Sequence, residues 1–166
     1  MITLDEVGSC DVVSVESAQA ADIDRLVELE TWLFAEDAGV HDEFSDVTWP
    51  AREEAGDFAT LLSGSDSLVL VARVDDGVVG FVAGYRTSSS PSRQPMAYGV
   101  LRSIYADKAA RGSGVGRALV TEFVEWARSS GCAEVVVDSY VKNVGAQHLY
   151  ESSGFVAQSA SRRLRL

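Results

Sequence analysis

The feature that most constrains this chain is the run Leu101 to Arg117, LRSIYADKAARGSGVGR, in which a strand-like segment passes through alternating glycines into a helix. Gly112, Gly114 and Gly116 carry no Cβ, so successive amide N–H groups can turn toward one concavity and a ligand can approach closely. The amphipathic pattern that follows adds the unpaired N–H groups and the positive dipole end of a helix to the same spot. Such a spot suits a phosphate or pyrophosphate. Arg111 and Arg117 bracket it with charge.

Spacing separates the known phosphate-binding loops. A Walker loop, GxxxxGK[ST], is excluded because Arg117 and Ala118 stand where Lys and Ser/Thr would be. The dinucleotide pattern GxGxxG is excluded too, since it needs glycine at Arg117 or Leu119. What remains is Arg111-x-x-Gly114-x-Gly116 between a strand and a helix. A second pattern lies downstream, from Asn143 through Ala146, Leu149, Tyr150, Gly154 and Phe155, as NxxAxxLYxxxGF.

Together these resemble motifs A and B of the GCN5-related N-acetyltransferase (GNAT) superfamily, closely over Tyr98 to Phe155 and by element order before that. The resemblance implies a direct N-acetyltransferase with acetyl-CoA as co-substrate and no metal. Ile104, Tyr105 and Ala106 would pair their backbone with the pantetheine arm, on a strand splayed from the next one. Arg111, Gly112, Ser113, Gly114, Val115, Gly116 and Arg117 would take the pyrophosphate. Asn143 serves as a helix N-cap, as a pantetheine contact, or as both. Tyr150 would be the general acid toward the departing thiolate, with core packing as the rival role for a half-buried phenol. A backbone amide on the splayed strand would stabilise the oxyanion.

The general base is open. The strand Tyr98–Ala106 carries no carboxylate where many relatives have a glutamate, so Asp138, or Glu36 or Asp37 through water, are the candidates. Cys132 falls at a helix end without a histidine, which disfavours a thiol nucleophile, and neither it nor Cys10 has a CxxC partner or metal-ligand company.

Around these motifs the pattern is mixed α/β, in the order β-α-α-β-β-β-α-β-α-β, and 166 residues fit one domain over 1–166. A first strand spans Asp11–Glu16. A helix from Ala20 to Glu36 or Asp37 follows, its stripe being Ile23, Leu26, Val27, Leu29, Glu30, Leu33 and Phe34. Pro50 opens a second helix that ends near Gly64. Ser67–Val74 and Val78–Tyr85 form a hairpin through an Asp76-Gly77 turn. Beyond the glycine loop come a helix to Ser130 with Gly131 after it, a strand Ala133–Tyr140, a helix from Asn143 to Ser153, and one last strand, Gln158–Leu166. Many relatives place two strands there, so a seventh is missing or supplied by a partner subunit of a homodimer.

A net charge of −11 argues against a nucleic-acid partner. No apolar run is long enough for a membrane span, and MITLDEVGSC lacks a secretory pattern, so a soluble cytoplasmic enzyme is expected. Acidic residues crowd the segment between the first two helices and into the second: Glu36, Asp37, Asp42, Glu43, Asp46, Glu53, Glu54 and Asp57. They suit a small-molecule amine acceptor of cationic type, aminoglycoside- or polyamine-like, unless they are simply a solvated acidic loop. His41 and Trp49 are secondary candidates for contacts there. Transfer to a protein N-terminus or lysine, O-acetylation, and a non-catalytic acyl-CoA sensor are the rival readings.

Overall fold

The computed structural model describes residues 13–166. Five strands form one sheet in the order β1-β2-β3-β4-β5: β1 Ser14–Ser17, β2 Ser67–Val74, β3 Gly77–Ser88, β4 Ala97–Ala106 and β5 Glu134–Val137. The first four are antiparallel neighbours, and β5 joins β4 in parallel. The expected first strand begins three residues later than Asp11, and Asp11 and Val12 lie outside the described residues.

Helices cover both faces. On one side α1 (Ile23–Glu36) and α3 (Trp49–Ser63) bury Leu26, Leu29 and Phe58 against Val71, Phe81, Ala83 and Tyr105. Phe58 meets Phe81 edge-on with centroids 5.7 Å apart, a geometry worth about 0.5–1.5 kcal/mol beyond the area it buries. A single-turn helix, α2 (Ala38–His41), links toward α3, whose first turn holds Pro50 where no N–H is needed. On the other side α4 (Val115–Ser129) sets Val115, Leu119, Val120 and Phe123 against Leu70, Val82 and Leu101. Tyr150, on α5 (Val144–Ser152), joins that cluster. No described helix is long and apolar enough to cross a membrane.

The β2–β3 turn is shifted by one residue from the expected Asp76-Gly77. Asp75 and Asp76 both take positive φ, 49° and 67°, and Gly77 already pairs with Val74. Aspartate tolerates the left-handed region well enough to make the two-residue turn without glycine.

Two departures lie at the C-terminal side. First, β5 stops at Val137 rather than Tyr140, because its pairing with β4 ends at Leu101↔Val137 while β3 follows β4 on to Ala106. The strands part there. Second, the terminal strand expected over Gln158–Leu166 does not form: the chain past α5 has no strand pairing, and residues 156–166 are exposed. Its arginines are drawn across to the helical side instead, Arg163 to Asp42 at 2.7 Å and Arg165 to Glu43 and over the Phe44 ring. The observed order among described residues therefore ends in α5, within a mixed α/β fold.

Candidate active site

The parting of β4 and β5 opens a cleft of about 810 Å³. Its floor is the unpaired edge of β4, where Ile104, Tyr105 and Ala106 have β3 on one side and no strand on the other. Extended backbone left free in this way offers N–H and C=O groups to an extended ligand.

One end of the cleft is the glycine turn. Gly112 and Gly114 have φ of +81° and +90°, a region that side-chain-bearing residues rarely adopt, and a Cβ on either would meet nothing within 4 Å. The glycines are required by backbone conformation, and the space beside them is empty. Gly114 caps α4, whose first internal bond runs from Ala118 N–H to the Gly114 carbonyl at 2.9 Å. The amides of Val115, Gly116 and Arg117 therefore lack an intrahelical acceptor. Together with the helix dipole they make a concavity with the donor set and charge for a pyrophosphate. Ser113 differs from its neighbours: its amide and its hydroxyl both donate to the Ala110 carbonyl, and it does not line the cleft.

Arg111 is turned inward. Its Nε donates to the Ala106 carbonyl at 3.0 Å, its Nη2 donates to Glu36 Oε2 at 2.7 Å, and its guanidinium lies 5.1 Å from the Tyr105 ring centre. Glu36 also accepts from the Tyr105 hydroxyl at 2.7 Å and has Lys108 Nζ at 3.3 Å. Partial burial works against its charge, but hydrogen bonds from Arg111, Tyr105 and Lys108 prevail and hold its carboxyl below the usual range. That makes Glu36 a weak base. Tyr105 is pushed the other way, up to about 12, by burial and then by Glu36.

The opposite wall is α5. Asn143 caps it, its Oδ1 accepting from Ala146 N–H at 3.0 Å, and its Nδ2 donates to Asp37 Oδ1 at 2.9 Å. Asp37 thus bridges α1 and α5, with His41 Nε2 at 3.7 Å from the same oxygen. Tyr150 lines the cleft with its ring on Phe155, centroids 5.6 Å apart, and its hydroxyl makes no hydrogen bond to another described residue. Burial, then the charge of Asp37, raises its pKa to about 12. It is protonated at neutral pH with a hydrogen to donate. Asp138 stands exposed just past β5, on the cleft edge.

Most of the residues singled out in the sequence therefore meet in one cleft, Glu36, Asp37 and Asp138 included. The rest of the acidic segment is largely paired elsewhere: Asp42 and Glu43 with the C-terminal arginines, Asp46 with Arg52, Glu54 with Arg102. Trp49 packs on Phe34. Lys108, Arg102 and Ser103 went unnoticed in the sequence, although an arginine inside a strand of apolar and small residues is a visible anomaly. Among the described residues no group of three or more His, Cys, Asp or Glu could hold a metal ion, and Cys132 is a free, half-buried thiol.

Comparison with known proteins bears on the family and the fold. The model of the acetyltransferase (GNAT) family matches residues 24–155. Aminoglycoside N(6')-acetyltransferase type 1 of Stenotrophomonas maltophilia is 32% identical over 110 residues, which span 64% of this chain and 72% of that protein. Among solved structures, a mutant of the BH1408 protein from Bacillus halodurans superposes with a TM-score of 0.83 at 20% identity, over 92% of this chain and 99% of that one. Aminoglycoside N-acetyltransferase AAC(6')-Iy in complex with CoA superposes at 0.74 and 15% identity, over 97% and 99%. At such identities the two structures bear on the fold alone.

Proposed function

The chain belongs to the GNAT acetyltransferase family and is an N-acetyltransferase, and from that premise we propose that its acceptor is a primary amine on a small cationic molecule. The observation that carries this reading is that Asp37 and Asp138 line the cleft without a lysine or arginine partner among the described residues, whereas Glu36 is already held by Arg111 and Lys108. Carboxylates around a cleft raise the local concentration of a cation and orient it. Aminoglycoside acetyltransferases among the relatives support the same class.

Acetyl-CoA, the co-substrate of the family, supplies an activated thioester. In this proposal the edge of β4 at Ile104–Ala106 receives the pantetheine arm by backbone pairing, and the amides of Val115, Gly116 and Arg117 with Gly112 and Gly114 receive the pyrophosphate. Arg111 stays on Glu36 or swings to the phosphates, while Arg117, exposed on the first turn of α4, faces them directly. Asn143 holds Asp37 in place with its amide and keeps the α5 terminus at the cleft. Tyr150 donates its hydroxyl proton, or a strong hydrogen bond, as the sulfur departs. No covalent intermediate on the chain is needed.

A CoA-release assay across amines tests the reading. Aminoglycosides and polyamines should turn over, and neutral amines, acidic amines and peptide N-termini should be poor acceptors. The double variant D37N/D138N should raise acceptor KM roughly five- to tenfold at low salt and flatten its salt dependence, with acetyl-CoA KM unchanged. Equal turnover of neutral and cationic amines would remove the cationic assignment, and acetyl-CoA binding without any CoA release would remove the small-amine one.

A further inference from the structure

On the face of β4 that meets α1 and α3, four side-chain atoms are buried with no hydrogen-bond partner among the described residues: Glu30 Oε2, Glu54 Oε2, Arg102 Nη1 and Ser103 Oγ. Glu30 and Glu54 are 2% and 0% exposed and Ser103 is 7% exposed. The local backbone explains how so many polar groups reach one place. The β3–β4 register slips between Ala83 and Gly84, pairing Ser103 with Ala83 and Leu101 with Gly84, so Arg102 is the extra residue of a β-bulge. Leu101 and Ile104 pack toward α4, while Arg102 and Ser103, though consecutive, both turn toward α1 and α3. Arg102 Nη2 donates to Glu54 Oε1 and lies 3.8 Å from Asp57.

The orphaned atoms are complementary. Carboxylate oxygens only accept, a guanidinium only donates, and a hydroxyl does both. A water bridging such groups is the smallest occupant that satisfies them. Charge is also unbalanced, with Glu30, Glu54 and Asp57 against the single guanidinium of Arg102. With all three carboxylates ionised the site is two positive charges short. Arg102 and Ser103 line the cleft and Glu30 does not, and Ser103 Oγ is itself buried, so that hydroxyl stands between the cleft and Glu30.

We propose that Glu30 receives the proton the acceptor ammonium must lose before it attacks, relayed by Ser103 and a water held among Ser103, Arg102 and Glu30. This rests on the N-acetyltransferase reading of the cleft. In the step, one N–H bond of R–NH3+ breaks, Ser103 Oγ accepts that proton as it passes its own to the water, the water gives up one of its original protons, and an O–H bond forms with that proton at Glu30 Oε2. Glu30 changes from carboxylate to carboxylic acid, and the amine is left neutral with its lone pair free. After the products leave, the proton returns along the same path to solvent. The groups facing Glu30 set its readiness: burial and then Glu54 of α3 raise its pKa to about 7, against Arg102 and Ser103 of β4. A base poised there is half-ionised at working pH. Ser103 is near enough to draw that value down, though its hydroxyl makes no hydrogen bond of normal geometry.

The test combines a titration with kinetics on E30Q, E30D and S103A. Carboxyl carbon NMR of the free wild-type enzyme should show one glutamate titrating near pH 7, absent in E30Q. With any amine that the wild type acetylates, E30Q and S103A should lose roughly 10²-fold in kcat at pH 7 with acetyl-CoA KM within about twofold, and E30D should recover part of it. The acidic limb of the wild-type pH profile should be gone in E30Q. Misfolding is checked by melting: a folded-state pKa raised above the ordinary glutamate value means that native stability falls as pH rises from that value toward 7. E30Q has no such proton to lose and should melt at pH 8 no lower than wild type. A missing titration, an E30Q profile that keeps the acidic limb, or an S103A enzyme at wild-type rate would each overturn the proposal. A wild type that releases no CoA with any amine would instead count against the acetyltransferase reading, and the NMR titration would still decide whether Glu30 exchanges protons.

Discussion

The two walls of the cleft are made of different material. The side we assign to the donor is backbone: a free strand edge at Ile104–Ala106, two left-handed glycines, and the bare amides that open α4. The side we assign to the acceptor is made of side chains drawn from distant parts of the chain, with Glu36 meeting Arg111 and Tyr105, Asp37 meeting Asn143, and Arg102 reaching the buried Glu54 behind the wall. A backbone site depends on conformation and spacing, so it tolerates changes in most side chains. A side-chain network depends on each member, and the same fold can exchange acceptors by changing a few of them.

Tyr150 stands where the two meet, packed like a core aromatic but with an unpartnered hydroxyl at the cleft. Y150F keeps the ring against Phe155 and removes only the proton donor. It should cost roughly 10²–10³-fold in kcat, with acetyl-CoA KM within about twofold. An unchanged kcat would reduce Tyr150 to packing and leave the donor wall with no chemistry beyond binding.

G114V tests the backbone wall. Valine at a φ of +90° is strained, and although a Cβ there meets no protein atom, it would stand in the space offered to the ligand. With about 2 kcal/mol of backbone strain, CoA affinity measured by calorimetry should fall roughly 30-fold, while kcat at saturating acetyl-CoA changes far less. A larger effect on kcat than on affinity would mean that the turn positions reacting atoms as well as binding the donor.

The same contrast decided what could be read from sequence. Backbone sites leave local marks: Arg111-x-x-Gly114-x-Gly116 and Asn143 to Phe155 carry the family resemblance, which implied the splayed strand, while the helices and hairpin followed from periodicity and turn residues. Long-range pairing leaves none. Arg111 and Glu36 are 75 residues apart and Arg102 and Glu54 are 48 apart, so nothing local announced that Glu36 is held by two cations and a phenol. The bulge that turns Arg102 inward is a matter of strand register, which sequence alternation alone would have placed on the other face. Glu30 fell on the helical stripe with Leu26, Leu29 and Leu33 and is indeed buried there.

The C-terminal tail is the smallest effect, and it too turns on this contrast. Its alternating Arg163, Leu164, Arg165 and Leu166 fit an edge strand by pattern, but a strand also needs a partner edge, and the tail is held instead by two exposed ion pairs to Asp42 and Glu43. The arginines there are 62% and 59% exposed, so water and salt screen them and each pair adds little. R163A/R165A should shift Tm by less than about 2 °C and leave CoA affinity unchanged. Because Asp42 and Glu43 directly follow His41, which lines the cleft, freeing their charge should slightly lower the KM of a cationic amine at low salt and have no effect at high salt. A large drop in Tm would mean that the tail packs as an element of the fold, and then its pattern of alternating residues, rather than its charge, would be what holds it.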